Sequence, residues 1–465
     1  MLVEGRGPDL QEVRKVTRAR GLAESLPTPK EKVQKLQNSL QAKAKAEPAF
    51  RFYSLWDKIC RADVLQEAFR QCKRNAGAAG VDGETFETIE IQGTEAWLEE
   101  LREELCGGKY CPQPLLRVWI PKSNGGQRPL SIPTIRDRVV ETAMLLVLNP
   151  IFEEDLLPNQ YGFRPKLSAK MAIRRAFWHI SQHGRREIVD ADLSDYFSTI
   201  PHGQLMRCIA RRVADGRVLS VIKAWLTAPV VERTRQGQKR TTEARDRKRG
   251  AAQGSPISPL MANLYFRRFL LAWEQHGYRD QYTAFVVNFA DDLVIYCKPE
   301  NGHMAMRAMR HLMTRLGLTV NERKTKLVTM PEETVTFLGY EIGRFYGKGR
   351  VPYIGTKPSR KAIKRAIGEI HEMTSRQWNC TSPEERIDRI NSFLRGWAGY
   401  FDQGPVTRTY NLVRHYTERR IRRWLMGKSG QRGTGYRQYP DEYLYEKLGL
   451  YKLPLKRADL PRAKA

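Results

Sequence analysis

Apolar positions along the chain follow three regimes. Leu55, Ile59, Val64, Leu65 and Phe69 recur at helical intervals ahead of a glycine-rich turn from Gly77 to Gly83, which predicts a small helical region. Between Leu115 and Ile342 short β-rich runs (LRVWI, REIVDADL, AFVVNFA, LVIYC, VTFLGYEI) alternate with amphipathic stretches such as Ile173 to Ile180. That mixture predicts an α+β core built on an antiparallel sheet. Helical spacing then returns. Ile363, Ile367 and Ile370 mark one apolar face, with Arg360, Lys361, Lys364 and Arg365 largely opposite it. Ile387, Ile390, Leu394, Trp397 and Phe401 mark another. Ahead of all this, residues 1 to about 48 are polar, with a helical stretch near Glu31 to Lys45 set between Pro27, Pro29 and Pro48. They read as an extension. No internal repeat or low-complexity tract interrupts the order.

Composition narrows the class. With 465 residues and 41% hydrophobic positions, the chain can bury a full core and has the length of two to four domains. Its 80 Lys and Arg against 51 Asp and Glu leave a formal charge of +29, which points to a polyanionic partner. Residues 356–465 hold 24 basic and 11 acidic side chains, so the excess is strong in the last quarter; a solvated basic surface is the plainer reading. The longest apolar stretch, Ala143 to Leu148, is far below the roughly 20 residues that span a bilayer, and the N-terminus has no signal-peptide core. A cytoplasmic protein with no membrane partner is expected. The seven cysteines form no C-x-x-C pair and have no companion histidine spacing, so free thiols are expected rather than zinc or disulfides.

Three acids carry the candidate chemistry. Asp192 ends the apolar run REIVDADL, and Asp291 and Asp292 lie between two β-rich runs in VVNFADDLVIY. Phosphoryl transfer through two metals needs carboxylates converging on hard cations such as Mg²⁺. An adjacent Asp pair is often only a solvated turn, but apolar runs on both sides predict a rigid hairpin where the two carboxylates repel each other unless a cation is present. Between these acids QGSPISPLMANL reads as a loop leading into a helix, with Ser258 as N-cap and Pro259 as first helical residue. Gln253 and Gly254 then stand where a base pair could approach the backbone. In IPKSNGGQRPLSIP, Lys122 and Arg128 flank a Ser-Asn-Gly-Gly tip that could close over a triphosphate; a plain surface turn is the alternative.

Taken in order, these segments resemble the reverse transcriptase and maturase proteins encoded by bacterial group II introns. RPLSIPTIRDRVVETAMLLVLNPIFE and YGFRPKLSAKMAIRRA resemble the family's finger motifs. DADLSDYFSTIPH, QGSPISPLMANL, FADD, LTVNERKTKLV and FLGYEIG resemble its successive palm motifs, while INSFLRGWAGYF and the stretch through GYRQYPDEYLYEKLGLYKLPL resemble its maturase region. The resemblance implies a right-hand polymerase: an extension (1–49), fingers and palm (50–345), the thumb's start (346–383), then the thumb's end with a basic maturase domain (384–465), and no endonuclease domain. It implies that Asp192, Asp291 and Asp292 hold two Mg²⁺ ions. It places Lys122, Arg128, Gln253 and Lys324 at the incoming dNTP, and Phe197 where an aromatic ring blocks a ribose 2′-hydroxyl. Implied partners are an RNA template with its DNA primer, group II intron RNA and target DNA, with nucleoid association during targeting. Arg419, Arg420, Arg422 and Arg423 in HYTERRIRRWL are the candidate intron RNA contacts. Phe289, Ser255 and Ala252 depart from the family's usual Tyr, Gly and Pro. Two rival readings are a free-standing relative recruited to host defence or DNA repair, and a non-catalytic splicing cofactor.

Overall fold

The computed structural model describes residues 28–121, 126–234, 237–454 and 463–464. Helix α1 (Pro29–Ala46) opens with a reciprocal cap: Thr28 Oγ1 accepts from Glu31 N, and the Glu31 carboxylate accepts from Thr28 N at 2.8 Å. Val33, Leu40 and Ala44 are its buried positions, one stripe on a charged helix. It packs, with α2 (Ala62–Arg74), on α3 (Ile135–Glu153). Helix α3 is buried nearly all round, and it takes Asp137, Arg138 and Glu141 into the interior with it.

The other elements that frame the site run as follows. Strands β1 (Leu115–Pro121) and β2 (Gln127–Ile132) precede α3; after it come α4 (Ala169–Ser181), β3 (Glu187–Asp192) and the one-turn helix α5 (Tyr196–Thr199). Next are β4 (Val230–Thr234), β5 (Gly237–Thr241), α6 (Ser258–Gln275), β6 (Phe285–Phe289), β7 (Asp292–Cys297) and α7 (Gly302–Arg315). Strands β8 (Lys326–Thr329), β9 (Val335–Phe337), β10 (Tyr340–Tyr346) and β11 (Pro352–Pro358) lead to helices α8 (Arg360–Met373), α9 (Pro383–Tyr400) and α10 (Thr407–Lys428). A short strand, β12 (Ala463–Lys464), pairs with β11.

The central sheet has the order β6-β7-β3-β8 and is antiparallel throughout. Val189, Ala191, Leu293 and Ile295 point into one core, shared with α3, α6 and α7. Ile188, Val294, Tyr296 and Val328 point into a second, shared with α4 and α8 to α10. Burial on both faces explains why these strands read as continuous apolar runs rather than as an alternation.

Three local expectations are corrected. The outer sheet, β2-β1-β4-β5, is mixed: β1 pairs antiparallel with β2 but parallel with β4, which arrives only after β2, β3 and the helices around them. VTFLGYEI is a hairpin, not one strand. Leu338 and Gly339, at φ +49° and +79°, make a two-residue turn that pairs Phe337 with Tyr340. Ser258 is the first residue of α6 and is buried, with Ile257 at the cap position and no side-chain cap. The apolar face expected around Ile387 is buried along α9 as predicted, the seven cysteines form no disulfide, and no helix among the described residues is long and apolar enough to cross a membrane.

Candidate active site

Strand register brings two of the acids together. Asp192, the last residue of β3, lies directly opposite Asp292, the first of β7, so their side chains share one face of the central sheet. Between Phe289 and Asp292 the β6–β7 turn is only Ala290 and Asp291, and Ala290 takes φ +57° to close it. The turn therefore carries Asp291 to the same sheet end.

The turn is braced from behind by residues whose role sequence reading missed. A Cβ on Gly162 would fall 2.3 Å from Ala290 N, so only glycine lets that segment back against the turn. Asn263 of α6 donates from Nδ2 to Gly162 O at 2.8 Å, and Gln160 Nε2 donates to Asn263 O at 3.0 Å. Asn288 donates from Nδ2 to Ala290 O at 2.8 Å and to Asp292 O at 3.2 Å, inside the hairpin. All three amide side chains are buried. Gln160 directly precedes YGF, Asn263 lies in MANL and Asn288 in VVNFADD, strings that stood out in the sequence, but which carbonyl each amide meets is a tertiary fact.

Asp192 is held from the other side by the loop after α7. Lys324 Nζ and Asn321 Nδ2 each donate to Asp192 Oδ2 at 3.1 Å, and Asn321 N donates to Asp192 O at 2.8 Å. Lys324, expected at the nucleotide, here meets an acid of the cluster. A fourth carboxylate, Asp190, lies two residues back on the same face; burial pushes it up to about 6, Lys326 opposing and Asp192 adding to the rise. Asp292 is open to water yet hemmed in by protein, and it is pushed up to about 7 by desolvation and then by Asp291, Asp190 and Asp192. Among the described residues no three His, Cys, Asp or Glu side chains are gathered round one point, and Asp192 is engaged with Lys324. The donor set still fits a hard dication: carboxylates at one sheet end, with Asp292 raised by desolvation and then by its acidic neighbours, an arrangement that a cation would relieve.

Phe197 projects from α5, just past the acids, half-buried, its ring 6.5 Å from that of Phe163 and edge-on to it. Ala251 N donates to Phe197 O at 2.8 Å, which ties the segment leading to Gln253 onto α5. Gln253 O accepts from Ser131 N of β2 at 2.6 Å, while its Oε1 is buried without a partner. Gly254 has φ +113°, and a Cβ there would lie 2.6 Å from Ser131 O, so the neighbour that approaches this backbone is β2. Arg128 is exposed on β2; Lys122 lies outside the described residues.

Ser255 donates its hydroxyl to the carboxyl of Glu141 on α3, which Ile257 N also reaches at 3.4 Å. Glu141 is fully enclosed, and burial pushes it up to about 8. The serine that stands where the family has glycine thus supplies a hydrogen bond to a buried acid.

Residues 120–342 match the family described as reverse transcriptase (RNA-dependent DNA polymerase), and residues 363–439 match the group II intron, maturase-specific domain. Over 370 residues the chain is 32% identical to Protein YkfC of Escherichia coli (strain K12), an alignment covering 71% of this chain and 93% of that protein. It is 30% identical over 220 residues to the group II intron-encoded protein LtrA of Lactococcus lactis subsp. cremoris, covering 46% of this chain and 34% of LtrA. The chain belongs to the group II intron reverse transcriptase and maturase family. As a member it is an RNA-directed DNA polymerase with the right-hand fold, and the three acids lie within the polymerase match.

The maturase-specific match contains the four arginines of α10, and of these candidate RNA contacts only two are open to solvent. Arg419 and Arg423 are exposed. Arg422 is buried: its Nε donates to Tyr439 O at 2.7 Å, its Nη2 meets Asp441, and the guanidinium lies 4.3 Å over the Tyr436 ring. Arg420 caps the C-terminal end of α8, donating to Thr374 Oγ1 and Thr374 O, both at 3.0 Å. One helix face therefore serves two purposes, because α10 is enclosed on more sides than its apolar spacing implied.

Proposed function

We propose that this reverse transcriptase extends a DNA primer along an RNA template at Asp192, Asp291 and Asp292, and that it binds group II intron RNA to assist splicing and to copy the intron into DNA at a target site. The observation that carries the catalytic part is the register that sets Asp192 across from Asp292 with Asp291 in the adjoining two-residue turn. These three carboxylates would hold two Mg²⁺ ions, which when bound supply Lewis acidity at the primer hydroxyl and at the leaving pyrophosphate. Lys324 holds Asp192 in place and offsets its charge. Phe197 excludes a ribose 2′-hydroxyl, Gln253 lines the nucleotide's side of the cleft, and Arg128 with Lys122 contacts the triphosphate. We assign residues 50–345 to fingers and palm, 346–383 to the start of the thumb, and 384–465 to its end and the maturase region, after an extension over 1–49. Exposed Arg419 and Arg423 are the proposed intron contacts on α10.

The test is primer extension by the purified chain on an annealed RNA template, with dNTPs and Mg²⁺. Template-directed DNA synthesis, halted by chelation, is expected. Failure to incorporate on any RNA template would contradict the reading. Splicing of a group II intron RNA with and without the protein tests the second activity separately.

A further inference from the structure

A cationic and aromatic cluster surrounds Phe285, at the end of the β6–β7 hairpin away from the acidic turn. Phe285 pairs with Tyr296, four residues along β6 from the Phe289–Asp292 pair and so about 13 Å away at ordinary strand rise. The Arg185 guanidinium lies 3.9 Å over the Phe285 ring and that of Arg279 lies 4.8 Å from it. Arg185 Nη1 meets His179 Nδ1 at 2.9 Å. Beside them Arg175 lies 4.3 Å over Trp178, whose ring stands 4.0 Å from that of His183. An open cavity of about 570 Å³ has Arg175, His179, Arg279 and Phe285 in its lining, with Glu274 as its one acid.

The cluster is short of counter-charge. Among the described residues no carboxylate lies within ion-pair reach of Arg175 or Arg185, and Arg279 has only the exposed Glu274 and Asp280, at 3.4 and 3.9 Å. Stacking on rings orders a guanidinium without neutralising it. Arg185 Nε and His183 Nε2 are buried with no hydrogen-bond partner. Burial, then Arg175 and Arg185, push His179 down to about 3, and His183 is lowered by burial and the same arginines, so both rings are neutral beside the cations. Trp178 is 38% exposed, an aromatic face next to a positive groove. This pairing suits a single strand, whose phosphates need cations and whose unpaired bases need stacking surfaces. A duplex offers the phosphates but hides the bases.

We infer that this cluster is a binding site for single-stranded RNA, separate from the polymerase cleft, with phosphates on Arg175 and Arg279 over Arg185 and a base on Trp178. The inference takes from the proposed function only that RNA is the polyanion involved. To test it, the full chain is saturated with unlabelled primer–template, and binding of a fluorescent 12-nucleotide single-stranded RNA is followed by anisotropy at several salt concentrations. The double variant Arg175→Glu, Arg279→Glu should bind that RNA at least tenfold more weakly, with a salt slope shallower by roughly 0.7 for each phosphate no longer neutralised. Its extension of a short annealed primer should match that of the unaltered chain. If the reversal also impairs extension, Arg175→Gln with Arg279→Gln carries the comparison. An RNA bearing 4-thiouridine should photocrosslink to the peptide containing Trp178. Unchanged affinity and slope, or crosslinks confined to other segments, would overturn the inference. Loss of extension in the unaltered chain would count against the proposed function and leave these readouts intact.

Discussion

Phe197 shows what one side chain can decide. It follows Asp192 by five residues, its backbone is tied down by the bond from Ala251, and its ring packs edge-on against those of Phe163 and Tyr196. An enzyme that excludes a hydroxyl by bulk loses that selectivity when the bulk is removed. Phe197→Ala is therefore expected to raise the ratio of rNTP to dNTP incorporation by roughly tenfold or more; single-nucleotide kinetics with both sugars measure it, and an unchanged ratio would place the discriminating contact elsewhere. That the acids and Phe197 fall in one region was legible because spacing within a motif survives without coordinates. Asn263, Gln160, Gly162 and Asn288 were not, since each acts through a carbonyl or a backbone that only the fold brings near. Lys324 stood out by its motif, but its contact with Asp192 did not.

At the scale of elements, strands whose apolar runs lie in the central sheet were readable, and so was the buried stripe of α9. Junctions were harder: the break in VTFLGYEI depends on Leu338 taking a left-handed conformation, and the first turn of α6 forms without a capping side chain. Helix α3 illustrates the limit most clearly, because nothing in its spacing announces that Glu141 faces inward to meet Ser255. That pair makes stability depend on pH. The carboxyl titrates near 4.5 when exposed and at about 8 when folded, so the folded chain keeps a proton that the unfolded chain loses between those values. Its contribution is fully present below about 4.5 and is lost as pH rises through about 8. Glu141→Gln should remove this dependence, giving a flatter profile of Tm against pH and a higher Tm than the unaltered chain near pH 8. An unchanged slope between pH 5 and 8 would mean the acid is not proton-bound in the fold.

Across the whole molecule, the +29 charge is divided between surface and structure. Composition showed the excess but not this division, because a buried arginine and a solvated one have the same letter. Arg422 spans to Tyr439 and Asp441, so Arg422→Ala should lower stability by about 1–3 kcal/mol through the unpaired carbonyl it leaves, read by denaturant unfolding. Arg419→Glu with Arg423→Glu should leave unfolding unchanged and weaken intron RNA binding far more than extension of a short annealed primer. Equal losses in both assays would remove α10 as a separate RNA surface. The central claim is that the carboxylates gathered by the β3–β7 register and the Ala290–Asp291 turn perform nucleotide transfer. Its most direct test is single-turnover dNTP incorporation on an RNA template by Asp291→Asn beside the unaltered chain, with affinity for the same primer–template measured in parallel. The account predicts a fall in rate on the order of 10²-fold or more with affinity nearly unchanged; a rate equal to that of the unaltered chain would contradict it.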